Sequence, residues 1–360
     1  MDYKGRLQRT RSELSRHRLD ALLVTHLPNI RYLCGFSGSA GVLLVAERQN
    51  FFFSDGRYTQ QAREEVQAAS IKIQMGKSAL ALATEWLARQ TRIRRIGIEP
   101  LHLTVADRNT VANSAPRPAK LVEVPPIVER MRMTKDGEEI SKIRAACHLG
   151  VELFGKVLKV LRPGIRESEI AGEVEFAARK AGVDQMAFST IVAGGPRSAL
   201  PHGRASAAPI PPQAFVVCDF GVILAGYCSD MTRTVHVGRV PSDARRVYEA
   251  VREAQQAAIE VIKPGTAIGD VDRAARKLLR NKSLDRFYTH STGHGLGLEV
   301  HEAPRVAAAQ SERLLPGMVI TIEPGVYLPG EFGVRIEDTV VVTETGCEIL
   351  TPCSKVLLSV

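Results

Sequence analysis

Aromatic residues are scarce in this chain of 360 residues: Phe, Trp and Tyr make up 5%, with a single tryptophan, Trp86. So few rings offer little on which unpaired bases could stack. Six cysteines (Cys34, Cys147, Cys218, Cys228, Cys347, Cys353) stand at irregular spacings without a CxxC pair, which argues against a disulfide framework or a zinc ribbon. No run approaches the roughly 18 apolar residues of a membrane helix. The opening stretch MDYKGRLQRTRSELSRHRLD is charged throughout and lacks the apolar segment of a secretory signal. A soluble, cytoplasmic protein with no membrane partner is expected. The net charge of +9 raises the question of nucleic acid, particularly with Arg92, Arg94 and Arg95 in one short stretch. The basic residues are otherwise spread along the chain and form no long stripe. A solvated basic surface is therefore expected, and no nucleic-acid partner.

With 44% hydrophobic residues the chain can bury a sizeable core, and its length exceeds one typical domain. The first part alternates helix-like and strand-like segments: residues 5–18 read as a helix, DALLVT and GVLLVAE as buried strands, and FFFSDGRY as a strand leading into the helical TQQAREEVQ. This predicts a small α/β domain over residues 1–127. Pro125 and Pro126 end it, a linker is expected at 124–135, and a helical pattern begins near Lys135 to Glu139. The remainder, 128–360, holds a weak internal repeat. VLRPGIRESEIAGEVEFAARK is echoed about 100 residues later by VIKPGTAIGDVDRAARK, and each copy is followed by strand-like runs carrying two acids.

Those acids are the main chemical signal. Asp219 and Asp230 stand in VVCDFG and YCSDMTRT, Glu323 and Glu337 in VITIEPGVY and GVRIEDTVVV, and His294 lies between them in HSTGHGLGLEVHE. Singly, each acid reads as a turn former or surface group, and the histidine as a core residue. As a set on half-buried strands, four carboxylates would repel one another unless a cation held them. Oxygen-rich ligation with one imidazole suits Mn²⁺, Co²⁺, Fe²⁺ or Zn²⁺ better than it suits a closed structural zinc. Four acids and one His can supply the bridges that two ions about 3.5–4 Å apart require. Two divalent ions are expected, with Mn²⁺ the first choice.

The motifs DFG, SDMTRT, GHGLGLEVHE, IEPGVY and VRIED, in this order, together with RYLCGFSGSAGVLLV and SDGRYTQQA, resemble the pita-bread metallopeptidases, the family of aminopeptidase P, prolidase and methionine aminopeptidase. Nearly the whole chain is covered. The resemblance implies an α/β (α+β) protein with a creatinase-like N-terminal domain and a C-terminal pita-bread domain of pseudo-two-fold internal symmetry. It also implies a homodimer. By the same resemblance Asp219 chelates one metal, Asp230 and Glu337 bridge both, and His294 and Glu323 hold the other. His202 (in SALPHG) and His301 line the substrate site, with His290, Tyr327 and Arg335 around them. Arg335 is expected either to clamp a bridging carboxylate or to dock a substrate carboxylate. Trp86 matches no aromatic of the family's cleft, and no N-terminal residue is given a site role.

The implied reaction is hydrolysis of the bond before proline at a peptide N-terminus. A water between two cations would be the nucleophile, Glu323 its proton acceptor, and His202 and His301 partners of the oxyanion. An Xaa-Pro aminopeptidase is expected ahead of an Xaa-Pro dipeptidase, because RYLCGFSGSAG and SALPHG look more like the short bacterial aminopeptidases P and because no cation beyond Arg335 is identifiable to hold a dipeptide's carboxylate. Methionine aminopeptidase fits less well because of the extra N-terminal domain. A metal-free binding protein on the same scaffold fits less well because the ligand set is intact.

Overall fold

The computed structural model describes residues 1–116 and 118–360, which fall into two compact units, Met1–Arg132 and Met133–Val360. In the first unit the strands are β1 (Ala21–Val24), β2 (Val42–Ala46), β3 (Asn50–Asp55), β4 (Ser70–Gln74), β5 (Arg95–Ile98) and β6 (Lys120–Glu123). They form one mixed sheet in the order β4-β3-β2-β1-β5-β6. The helices are α1 (Tyr3–Arg16), α2 (Leu27–Cys34), α3 (Thr59–Glu65), α4 (Ala79–Ala88), α5 (Val105–Ser114) and α6 (Ile127–Met133). β1 and β2 are buried nearly throughout, as continuous apolar runs should be when both sheet faces are covered. Trp86 lies against Phe51 and Phe53, with ring centroids 4.3 and 6.2 Å away, so the lone tryptophan is spent on packing within this unit.

The second unit begins with α7 (Gly137–Val160), whose start is fixed by a capping box. Asp136 accepts from the Glu139 N–H at 2.9 Å, and the Glu139 carboxylate accepts from the Asp136 N–H at 3.0 Å. After α8 (Glu167–Lys180) come β7 (Gln185–Met186), β8 (Ile191–Gly194), β9 (Ala214–Phe220), β10 (Val222–Leu224), β11 (Tyr227–Cys228) and β12 (Met231–Val237). The pattern then recurs, with α9 (Ser242–Glu260) and α10 (Ile268–Asn281) followed by β13 (Gly293–Gly295), β14 (Glu302–Val306), β15 (Val319–Ile322), β16 (Gly325–Leu328), β17 (Phe332–Arg335), β18 (Asp338–Val342) and β19 (Cys347–Ile349). The half-similar sequences thus fold as two helix pairs, each followed by antiparallel strands ordered β12-β9-β8 in one half and β14-β13-β15-β18-β19 in the other.

Strand β9, AFVVCDF, is buried at every position and pairs β12 along its length, with Thr232 opposite Asp219. The two halves are stitched where their acids meet. The Glu337 N–H donates to the Thr232 carbonyl at 3.1 Å, the Thr232 hydroxyl to the Glu337 carboxylate at 2.8 Å, and the Thr234 hydroxyl to the Arg335 carbonyl at 2.8 Å. Arg233, 2% exposed, donates to the Glu337 carbonyl and pairs with Asp338 at 2.7 Å. Among the described residues no helix is long and apolar enough to cross a membrane.

Candidate metal centre

Each acid sits at the end of a strand or just beyond one. Asp219 is the next-to-last residue of β9, Asp230 immediately precedes β12, Glu323 follows β15, and Glu337 lies between β17 and β18. His294 is the middle residue of β13, between two glycines that are sterically required. A Cβ on Gly293 would lie 1.8 Å from the Thr321 carbonyl oxygen, and one on Gly295 would lie 2.1 Å from that of Ala303. The GHG sequence therefore lets β13 press against both neighbours while its one side chain enters the site.

A cavity of about 560 Å³ brings together Asp219, Asp230, His294, Glu323 and Glu337, with His202, His290, His301, Tyr327 and Arg335 also in its lining. All ten residues singled out in the sequence therefore share one space. His294 Nε2 lies 3.6 Å from Asp230 Oδ2 and 3.5 Å from Glu323 Oε1. One ligand-type atom each from Asp230, His294 and Glu337 falls within 4.8 Å of the others. His294 Nδ1 lies 2.9 Å from the Gly295 carbonyl, which can only accept. The ring proton therefore belongs on Nδ1, and the Nε2 lone pair faces the carboxylates.

Burial, with repulsion among neighbouring acids, drives the electrostatics. The Asp230 carboxyl is pushed well above its ordinary range by desolvation and then by Glu337, Asp219 and Glu323. Glu337 is raised well above its ordinary value by desolvation and then by Glu323 and Asp219, and burial lifts Glu323 to about 7. Burial lowers His294 to about 4, aided by the nearby His301. The His294 imidazole is thus neutral at physiological pH, the state in which it can ligate. Asp219 Oδ1, Asp230 Oδ1 and Glu337 Oε1 are buried without a hydrogen-bond partner among the described residues. Three orphaned carboxylate oxygens in one pocket are the donor set that divalent cations would complete.

Arg335, 3% exposed, is the one guanidinium inside this cluster. It donates to Asp219 Oδ2 at 2.5 Å, to the Tyr327 hydroxyl at 2.8 Å, to the Pro201 carbonyl at 3.0 Å and to the Thr232 hydroxyl at 3.1 Å. Of the two roles expected for it, clamping a carboxylate matches these contacts. The carboxylate is that of Asp219, and no bond to Asp230 or Glu337 accompanies it. Tyr327 in turn meets His290 Nε2 at 2.8 Å, and His290 Nδ1 meets the Ser291 carbonyl at 2.8 Å. Desolvation depresses His290 to about 4, so Nδ1 carries its proton and Nε2 accepts from Tyr327. His301 packs edge-on against His294, centroids 4.4 Å apart, and its pKa is lowered by burial and by His202.

Eight further residues line the cavity that sequence reasoning did not single out, four of which bear on substrate. Phe188 and Ile191 form an apolar wall, and Arg204 and Arg305 are exposed guanidiniums. The signal was present only as adjacency, since Arg204 closes SALPHGR and Arg305 stands four residues beyond His301.

Comparison with known proteins agrees with this geometry. Residues 141–344 match metallopeptidase family M24, and residues 6–134 match the creatinase/prolidase N-terminal domain. The chain is similar to an Xaa-Pro dipeptidase of Pyrococcus horikoshii, 35% identical over 96% of each chain. Among solved structures it superimposes on an Xaa-Pro dipeptidase from Bacillus anthracis with a TM-score of 0.95 (35% identity, 99% of this chain and 100% of that one). It also superimposes on an X-Pro aminopeptidase from Thermotoga maritima with a TM-score of 0.88 (35% identity, 97% and 100%). The match over residues 141–344, more than half of the chain, places it in metallopeptidase family M24, the pita-bread peptidases.

Proposed function

We propose that this metallopeptidase is a two-metal exopeptidase that hydrolyses Xaa-Pro bonds and prefers dipeptides. The observation that carries the reading is the cavity itself, in which an acid-and-imidazole cluster with three carboxylate oxygens orphaned among the described residues adjoins two guanidiniums, Arg204 and Arg305, that make no side-chain bond among those residues. Asp219, Asp230, His294, Glu323 and Glu337 would hold two divalent ions, with Mn²⁺ the first candidate. When bound, such ions lower the pKa of water and polarise a carbonyl oxygen.

The chain's own groups do the rest. Glu323 accepts the proton of the attacking water and passes it to the leaving nitrogen, which in an Xaa-Pro bond is a ring nitrogen without hydrogen. His202 and His301 donate hydrogen bonds to the developing oxyanion. Arg335, through Asp219 and Tyr327, keeps the acid cluster and His290 in register. If this division of labour holds, His202→Ala and His301→Ala proteins keep their metal content but lose about 10²–10³ in kcat, the scale of one oxyanion donor. Metal analysis beside kinetics checks this, and equal loss of metal and rate in His301→Ala would make His301 a ligand.

The preference for dipeptides reverses the order expected from sequence, which rested in part on Arg335 being the one identifiable cation. Arg335 is committed to Asp219, while Arg204 and Arg305 remain to meet a free C-terminal carboxylate. The dipeptidases of Pyrococcus horikoshii and Bacillus anthracis support the same order. Aminopeptidase action on longer peptides is the second reading, favoured by the Thermotoga maritima structure.

The test is kcat/KM on Ala-Pro, Ala-Pro-Ala and Met-Ala-Ser with Mn²⁺- or Co²⁺-loaded protein. Ala-Pro should be the best substrate. Arg305→Ala should raise its KM by about 10-fold or more, the worth of a hydrogen bond to a charged group, while scarcely changing hydrolysis of Ala-Pro-amide. Preference for Ala-Pro-Ala would restore the aminopeptidase reading, and efficient release of Met before Ala would remove both.

A further inference from the structure

Helix α10 buries an apolar stripe of Ile268, Val271, Ala275 and Leu279, and in the middle of it stands a carboxylate, Asp272, with no exposed surface. A charge at such a position is costly unless fully paired. Asp272 Oδ1 accepts from the Thr292 hydroxyl at 2.7 Å and from its N–H at 3.2 Å, and Oδ2 accepts from Arg276 Nε at 2.7 Å. Arg276 goes on to donate to the carbonyls of Tyr288 at 3.2 Å and His290 at 2.5 Å, and its guanidinium lies 4.3 Å over the Tyr288 ring. The Tyr288 hydroxyl meets the Thr292 hydroxyl at 2.7 Å. Because Thr292 donates to Asp272, Tyr288 is the donor there. The Thr292 carbonyl accepts the Glu323 N–H at 2.8 Å.

The segment 288–292 is therefore gripped at both ends by one acid and one guanidinium from a helix that contributes nothing to the cavity lining. His290 sits inside the gripped segment, His294 lies two residues past it, and Glu323 is hydrogen-bonded to its last carbonyl. We propose that Asp272 and Arg276 are positioning residues which, through Thr292, set the placement of His290, His294 and Glu323. The inference rests on the reading of those three as parts of the metal and substrate site.

The decisive comparison is among Asp272→Ala, Thr292→Val, Thr292→Ser and, as a control on the same helix, Asp270→Ala, which removes an exposed pair with Arg273 (2.6 Å). Three readouts are taken on the full chain: binding of Co²⁺ alone by visible absorption, kcat and KM on Ala-Pro, and backbone hydrogen exchange over 288–294. Asp272→Ala and Thr292→Val should weaken Co²⁺ binding or lower kcat by about 10- to 100-fold, the usual cost of an outer ligand-orienting group. KM should move less, and exchange in the segment should quicken. Thr292→Ser, which keeps the hydroxyl, should behave as wild type, as should Asp270→Ala. Thr292→Val preserves side-chain volume and carries the test should Asp272→Ala fail to fold. A folded Thr292→Val protein with wild-type Co²⁺ affinity, kcat and exchange would overturn the proposal, as would losses in Asp270→Ala equal to those in Asp272→Ala. Should the wild type bind Co²⁺ but cleave no peptide, the peptidase reading fails while Co²⁺ affinity and exchange still decide the positioning role.

Discussion

Asp230→Asn and Glu337→Gln proteins are expected to lose at least one metal ion per chain and to fall to background peptidase activity. Each substitution keeps size and shape while removing a negative charge that no neighbouring group can replace. Both side chains are almost wholly buried, and each ends in an oxygen with no partner among the described residues. An amide nitrogen at such a position would turn a donor toward a cation. The loss should exceed the roughly 10- to 100-fold that removing an outer orienting residue costs. Metal analysis of dialysed protein, together with turnover of Ala-Pro in Mn²⁺, checks the expectation. Two tightly held ions and normal turnover in Asp230→Asn would falsify the assignment of Asp230 as a metal-holding carboxylate.

The metal-free protein should lose thermal stability as pH rises from about 6.5 to 8, the range above the ordinary histidine value in which the opposing contribution of His290 and His294, lowered to about 4, no longer changes. Glu323, ordinarily near 4.5, titrates at about 7 in the folded chain because of burial, and Asp230 and Glu337 are raised well above their ordinary values by burial and mutual repulsion. Groups raised in this way make the folded state bind more protons than the unfolded state. Their contribution is fully present below the unfolded pKa and is lost as pH climbs through the folded one. A tenfold difference in proton affinity between the two states is worth about 1.4 kcal/mol. Calorimetric Tm values of chelator-treated protein should thus decline across this window, whereas Mn²⁺-saturated protein, in which cations take the place of protons, should show little decline. A flat Tm profile for the metal-free form would contradict the raised carboxyl values.

Much of this was legible in the chain before its structure. The runs DALLVT and GVLLVAE are strands because continuous apolar stretches suit a sheet covered on both faces. The DGEE sequence opening α7 encodes its own cap. The five candidate ligands lie in or beside strands whose register is set by apolar neighbours, while His202 and His290 reach the same cavity from loops. What could not be read is whatever depends on partners remote in sequence. Arg335 is committed to Asp219, 116 positions away, and nothing local to VRIED reveals which carboxylate it meets. Arg204 and Arg305 look like ordinary surface arginines until folding turns them into one cavity. Asp272 breaks the apolar stripe of its helix, a local irregularity whose meaning depends on Thr292 lying beneath it.

The stitching of the catalytic unit through Thr232, Thr234, Arg335 and Glu337 also bears on assembly of the site. Asp219 and Asp230 arrive with one half of the unit; His294, Glu323 and Glu337 arrive with the other. On the proposed ligand set, neither half alone brings all five residues, so the complete site forms only once the halves have docked. The proposed site is thus a product of the finished fold, and an unfinished chain holds its ligands in separate pieces.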